Sequence, residues 1–271
     1  MFINLTQYRT IILLMMKLSF FSLISHAQTV MHSDEQLLLA KAKFRLAKNA
    51  GDPAAIDKSV KAFEILAKSK GGGSLSYHYL AYSQQYLSYF SHDDKDKQRR
   101  LIDSAIRNTK TAVKLDKDLS DNYILLSSLY SSKIGEYKNN IDSLMKYKAL
   151  YEENMEKAHF LEPDNPRYYL VKAQSLYYTP QDYGGGIAKA KPLFEKSLSL
   201  YKEVDPTASV GPDWGLTDVY SWLAHIAEKE GDINKSIDYY NKLLQSEPDY
   251  AYVRNVLLPR LLKKKEKDNN L

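Results

Sequence analysis

One stretch limits the fold more than any other. GDINKSIDYYNKLLQSEPDY, residues 231–250, opens on a break, runs amphipathic from Ile233 to Gln245, and stops at Glu-Pro-Asp. Ser236, Tyr240 and Leu243 are spaced four and three apart, so they share one helical face and pack against a single partner. Tyr220, Leu223, Ala224 and Ala227 form the matching stripe of a preceding helix. Gly231 can take the left-handed conformation that ends that helix, and Pro248 cannot continue the second one. An antiparallel helix pair follows, spanning 34 residues from Thr217 to Tyr250.

The pattern recurs upstream in looser form. HFLEPDNPRYY puts Pro163 where Pro248 stands, and AVKLDKDLSDNY puts Lys117 there. Tyr77, Leu80 and Ala81 form a first-helix stripe, as do Tyr123, Leu126 and Ser127, with Ala105 and Tyr151 at the close contact of the second helix. Both intervals, Tyr77 to Tyr123 and Ala105 to Tyr151, are 46 residues. That exceeds the last unit, and the surplus is expected to make the middle hairpins taller. A fourth unit reads NPRYYLVKAQSLYY, TPQDYGGG, IAKAKPLFEKSLSLY, with Ala190 and Phe194 in the second helix; Pro192 is expected to kink that helix unless it lies in the first turn. The first unit has only the helix-break-helix rhythm, with Pro53 suited to a helix start after Asp52.

These residues resemble a tetratricopeptide repeat (TPR), whose pattern is an aromatic, Leu, Gly and Tyr in the first helix and Ala, Phe and Pro in the second. The match is fullest at Tyr220, Leu223, Ala224, Ala227, Ser236, Tyr240 and Pro248. The expected fold is all-α: a TPR-like α-solenoid of about five antiparallel helix pairs plus a C-terminal capping helix from about Tyr250. The chain is also similar to exported bacterial TPR-containing proteins that combine an NPR-Y segment, a YTP-x₂-YGGG turn and a PDWG lead-in to the last repeat.

The first residues, MFINLTQYRTIILLMMKLSFFSLISHAQT, carry Arg9, two apolar runs and small residues at Ser25 and Ala27, as a secretory signal cleaved after Ala27 requires. Lys17 interrupts the apolar stretch, so Met15 or Met16 is an alternative start, and neither run approaches the length needed to span a membrane. The expected organisation is a signal peptide over 1–27, a short arm over 28–33 and a single helical repeat domain over 34–271. The absence of cysteine removes disulfides, thiolate metal sites and lipid attachment through cysteine. A soluble periplasmic or otherwise extracytoplasmic product is expected, without stable membrane insertion once the leader is gone. Removing the leader drops Lys plus Arg from 38 to 36 against 33 Asp plus Glu, too small an excess to argue for nucleic acid. The basic LLPRLLKKKEK segment reads as a solvated capping helix.

No motif supports catalysis, a cofactor or a metal. Gly71–Gly73 and Gly184–Gly186 lack the preceding strand and following Lys-Ser or Lys-Thr of a phosphate loop, and read as flexible turns between repeats. Ser143 and Lys146 have S-x-x-K spacing, but Ser120-Asp121-Asn122 precedes rather than follows them and no KTG exists. His92-Asp93-Asp94-Lys95-Asp96 lacks the Gly and the final Glu of a calcium loop.

The TPR resemblance implies that first helices line a concave face, with residues one, five and eight after the aromatic pointing inward. Counting from Tyr77, Tyr123, Tyr168 and Tyr220 gives His78, Tyr82 and Gln85; Ile124, Ser128 and Ser131; Tyr169, Ala173 and Leu176; Ser221, His225 and Glu228. The lysine, arginine and asparagine types of the family's carboxylate clamp are absent from this set. What remains is an aromatic and hydroxyl-lined wall with Tyr82, Tyr86, Tyr169 and Tyr177 as anchors, because tyrosine offers large contact area at low entropic cost. The expected role is a scaffold or adaptor that lays a protein or peptide partner along an open concave face. The alternative is a glycan-binding repeat protein that stacks sugars on the same tyrosines.

Overall fold

The computed structural model describes residues 33–201 and 211–269, so the proposed leader lies outside the described residues. Among them every regular element is helical. The first helix, α1, covers residues 33–50. It is followed by α2 (Pro53–Lys68), α3 (Ser74–Tyr89), α4 (Lys95–Leu115), α5 (Ser120–Glu136) and α6 (Ile141–Leu161). Then come α7 (Pro166–Tyr178), α8 (Ile187–Tyr201), α9 (Leu216–Lys229), α10 (Ile233–Ser246) and, after a π-turn at Val253–Leu257, α11 (Leu258–Asn269).

Local chemistry sets the boundaries. Asp52 caps α2 by accepting from the Ala54 and Ala55 amides, with Pro53 in the first turn, where its missing donor costs nothing. Asp94, Asn140, Asn165 and Asp232 cap α4, α6, α7 and α10 in the same way. Asp94, in the charged 92–96 segment, is therefore a helix cap. α8 runs on through Pro192, its sixth residue, which lies inside the helix and does not end it.

Each helix packs chiefly on its sequence neighbours, as in a solenoid, and α3, α5 and α7 also touch one another along the inside. Small residues allow the close approach: Ala81, Ala105, Ser127, Ala158, Ala190, Ala224 and Ser236 are fully buried at the helix contacts. The middle hairpins are taller, as expected. α4 and α6 have 21 residues each, whereas α9 and α10 have 14.

The ends of the solenoid meet. Asn49 of α1 donates to Glu247 just after α10 at 2.8 Å, and Arg45 of α1 lies 3.8 Å from the same carboxylate. One continuous apolar core runs from Leu37 to Ile226. The superhelix thus closes around a lumen walled by α1, α3, α5, α7 and α9.

Candidate functional site

The inner wall is not vacant. Residues 211–215, the GPDWG just before α9, return to the lumen where the first turns of α5 and α7 converge. Trp214 stacks on Tyr82 with ring centres 5.0 Å apart and is 7% exposed. Its indole Nε1–H donates to His78 Nε2 at 3.1 Å. His78 Nδ1 is therefore the protonated nitrogen and donates to Asn122 Oδ1 at 3.0 Å. Asn122 passes the chain on to Ser74, whose hydroxyl donates to the Ala112 carbonyl. Burial pushes the His78 pKa down to about 4, because a charged imidazole would lose its water with no anion in contact.

The segment's backbone is held as firmly as its side chain. Arg167 Nε donates to the Trp214 carbonyl at 3.0 Å, and the same guanidinium reaches the Pro212 carbonyl. Tyr201 adds a second hydroxyl donor to the Trp214 carbonyl at 2.8 Å. Lys41 Nζ donates to the Gly211 carbonyl at 2.7 Å and pairs with Asp213 at 3.3 Å. Tyr79 donates to the Asp213 carboxylate at 2.6 Å while accepting the Asp213 amide at 2.9 Å. Gly215 sits at φ +111°, and a Cβ there would fall 2.0 Å from the Tyr201 hydroxyl, so both backbone and space demand glycine.

Arg167 is itself fixed from below. Its Nη1 lies 3.3 Å from Asp121 Oδ1, and Asn165, the α7 cap, donates to Asp121, Ser120 and Glu162. Burial raises the Asp121 carboxyl, while Arg167 and Asn165 pull it back down. The SDN and NPR triplets, which carry no catalytic order, thus form the floor on which the segment rests.

The structure sorts the sequence-predicted wall residues into two groups. His78, Tyr82, Gln85, Ile124 and Ala173 are buried; Tyr86, Ser128, Tyr169, Tyr177, Ser221 and His225 are partly exposed. For His78 and Tyr82 the covering group is Trp214. The expectation of a wholly open concave face is therefore corrected: its lower end is filled by the chain itself.

The register of α7 is also corrected by one residue. The Tyr123 and Tyr169 hydroxyls each donate to the carbonyl six residues earlier, Lys117 and Pro163, at 3.1 Å. Tyr169, not Tyr168, is thus the counterpart of Tyr123, and Ala173 takes the helix-contact place of Ser127; both are 0% exposed. The inward residues of α7 become Leu170, Gln174 and Tyr177.

The other end of the lumen stays open. Gln85 donates to Ser128 at 2.8 Å, joining α3 to α5, and Tyr177 shares a 2.9 Å hydrogen bond with His225, joining α7 to α9. Tyr86 packs edge-on against Tyr89, which is 54% exposed; Tyr178 packs edge-on against Tyr177 and is 73% exposed. Tyr89 and Tyr178 end their helices, and the count of one, five and eight stops short of them. An aromatic at the last position of an inner helix is the signal that finds them. Burial and the Lys229 ammonium lower the His225 pKa, favouring the neutral ring.

Gly71–Gly73 falls between two helix pairs as expected, whereas Gly184–Gly186 lies inside the α7–α8 pair, and its turn is close-packed: a Cβ on Gly185 would lie 2.1 Å from the Thr179 carbonyl oxygen. Among the described residues no group of three His, Cys, Asp or Glu could hold a metal, and no helix is long and apolar enough to cross a membrane.

Comparison with known proteins agrees with this architecture. The HusA haemophore from Porphyromonas gingivalis is similar, with 27% identity and a TM-score of 0.57 over 69% of this chain and 93% of that one. A thermophilic TPR protein of Thermus thermophilus superposes with a TM-score of 0.58 at 19% identity, over 85% of this chain and 98% of that one. No curated protein matches the sequence. The tetratricopeptide repeat profile matches residues 217–250. Residues 217–250 are therefore a tetratricopeptide repeat, and the chain around them folds as a tetratricopeptide-repeat solenoid.

Proposed function

We propose that the chain is an exported, non-enzymatic TPR scaffold that holds a peptide or protein segment in the open end of its lumen. One observation carries this reading: the inner wall already binds an extended peptide, its own residues 211–215. Arg167, Lys41 and Tyr201 take its carbonyls, and Tyr82 takes its indole. Those are the means by which a groove captures a foreign strand, with backbone hydrogen bonds for affinity and an aromatic pocket for selectivity. The free wall beyond it, with Tyr86, Tyr89, Tyr177, Tyr178, Ser128 and His225, offers the same chemistry without an occupant from the described residues. Envelope localisation rests on the sequence of residues 1–27 alone.

The test is selection from a displayed peptide library, followed by binding of the selected peptides to Tyr89→Ala and Tyr178→Ala. Loss of binding in these two variants, with Ile65→Ala on the outer surface unchanged, is expected. Equal binding by all three, or no selected peptide, contradicts the proposal.

A second reading follows from the 27% identity to a haemophore that is matched over 93% of its length. Open tyrosine rings at the mouth also suit a flat tetrapyrrole. A haem titration monitored by absorbance separates the two: saturable binding that Tyr89→Ala and Tyr178→Ala abolish supports it, and no saturable change removes it.

A further inference from the structure

Asp218 stands in the first turn of α9, one turn before Ser221 and two before His225, on the stripe that faces the lumen. It is only partly exposed. Among the described residues its carboxylate makes no hydrogen bond, and no cation lies within 4.0 Å of it. Every other acidic side chain there that is buried or only partly exposed has a direct partner, such as Arg167 for Asp121, Lys133 for Asp103 and Arg260 for Glu228. The surroundings are aromatic instead. The Asp218 charge bears on the hydroxyls of Tyr82, Tyr86, Tyr89, Tyr201 and Tyr250. A carboxylate enclosed in this way without a partner is costly to keep.

The one nearby cation shows what the wall accepts. Lys48 of α1, 8% exposed, holds its ammonium over the Tyr86 ring, 6.0 Å from the centroid, and its charge reaches Asp218 without contact. An ammonium on a tyrosine face beside a carboxylate is the arrangement that recognises cationic groups.

We infer that the open end of the lumen contains a site for a cationic group, the ammonium or guanidinium of a lysine or arginine in the docked segment, with Asp218 as counter-charge and Tyr86 and Tyr89 as walls. The inference rests on the lumen mouth being a peptide-docking surface. Asp218 is a specificity-determining residue in this scheme: it selects basic segments over neutral or acidic ones, and Lys48 is the internal cation that an incoming one displaces.

The experiment titrates the full folded chain with arginine amide and tetramethylammonium, and with acetate as the anionic control, by isothermal calorimetry. Saturable binding of both cations and none of acetate is expected. Asp218→Asn should weaken the cations by about tenfold or more, the loss of about 1.4 kcal/mol of charge pairing or more. Lys48→Met should strengthen them, an opposite effect that misfolding does not produce. Asp218→Asn should also leave the melting temperature unchanged or raise it, because it relieves an uncompensated charge. Unchanged cation binding in Asp218→Asn, or a clear fall in its melting temperature, overturns the assignment. Peptides that need Tyr178 but bind equally with or without lysine and arginine would retain the docking surface and remove the cation site. Failure of every peptide and both cations would remove both.

Discussion

The indole of Trp214 donates to the imidazole of His78 at 3.1 Å, across 136 residues of sequence, and in doing so ties the lead-in of the last repeat to the second inner helix. This contact makes residues 211–215 part of the solenoid interior. Trp214→Ala is expected to lose the ring stacked on Tyr82 and to leave a cavity beneath it, costing about 3–5 kcal/mol. Trp214→Phe keeps much of the packing but strands the His78 acceptor, and should cost less. Urea unfolding of the two variants checks both the order and the size.

Stability should depend on pH through His78. Its folded pKa, about 4, lies below the ordinary 6.5, so the unfolded chain takes up the proton first as pH falls. Stability is therefore fully present above about pH 6.5, declines through the window down to about 4, and is lost to the extent of about 3 kcal/mol below it. His78→Gln, whose amide can still accept from the indole, should flatten the curve in this window. Unfolding free energies of both proteins between pH 7 and 4 test the difference; parallel curves would exclude His78 as the titrating group.

Two glycines should respond with opposite signs. Gly215→Ala places a Cβ against the Tyr201 hydroxyl at a positive φ, and is expected to destabilise by more than about 1 kcal/mol. Gly135→Ala, near the end of α5 with nothing within 4 Å of its Cβ, should stabilise by a few tenths to about 1 kcal/mol. Thermal denaturation of the pair separates conformational demand from mere glycine content.

Arg167→Ala should be worse than its partner's removal. It abandons Asp121 in a buried site and releases two carbonyls, which together should cost about 3–5 kcal/mol. Asp121→Asn removes the stranded charge and should cost less. A double-mutant cycle of Arg167 and Asp121 is expected to show strong coupling.

The helical pairs were legible because their apolar residues repeat locally. Ser236, Tyr240 and Leu243 needed only helical spacing to be placed on one face, and Asp52-Pro53 announced its own helix start. Tyr169 was missed as the counterpart of Tyr123 because Tyr168 precedes it, and two adjacent tyrosines leave the register ambiguous until a hydroxyl finds its carbonyl. GPDWG has no periodicity at all. Its partners Lys41, Tyr79 and Arg167 lie 170, 132 and 45 residues away, as read from Gly211 and, for Arg167, from Pro212, so only the closed superhelix brings them together. Helical spacing puts His78, Tyr82 and Gln85 on one stripe of α3, yet nothing in it reveals that Trp214 already covers two of them.

Trp214 fills one end of the lumen from within the chain. In a Trp222→Phe protein, Trp214 is the only indole, and its Nε1–H can be followed by NMR. Slow exchange of that proton with water and nuclear Overhauser contacts to the rings of His78 and Tyr82 are expected. An indole proton that exchanges as freely as in a peptide, with no contact to either ring, would contradict it.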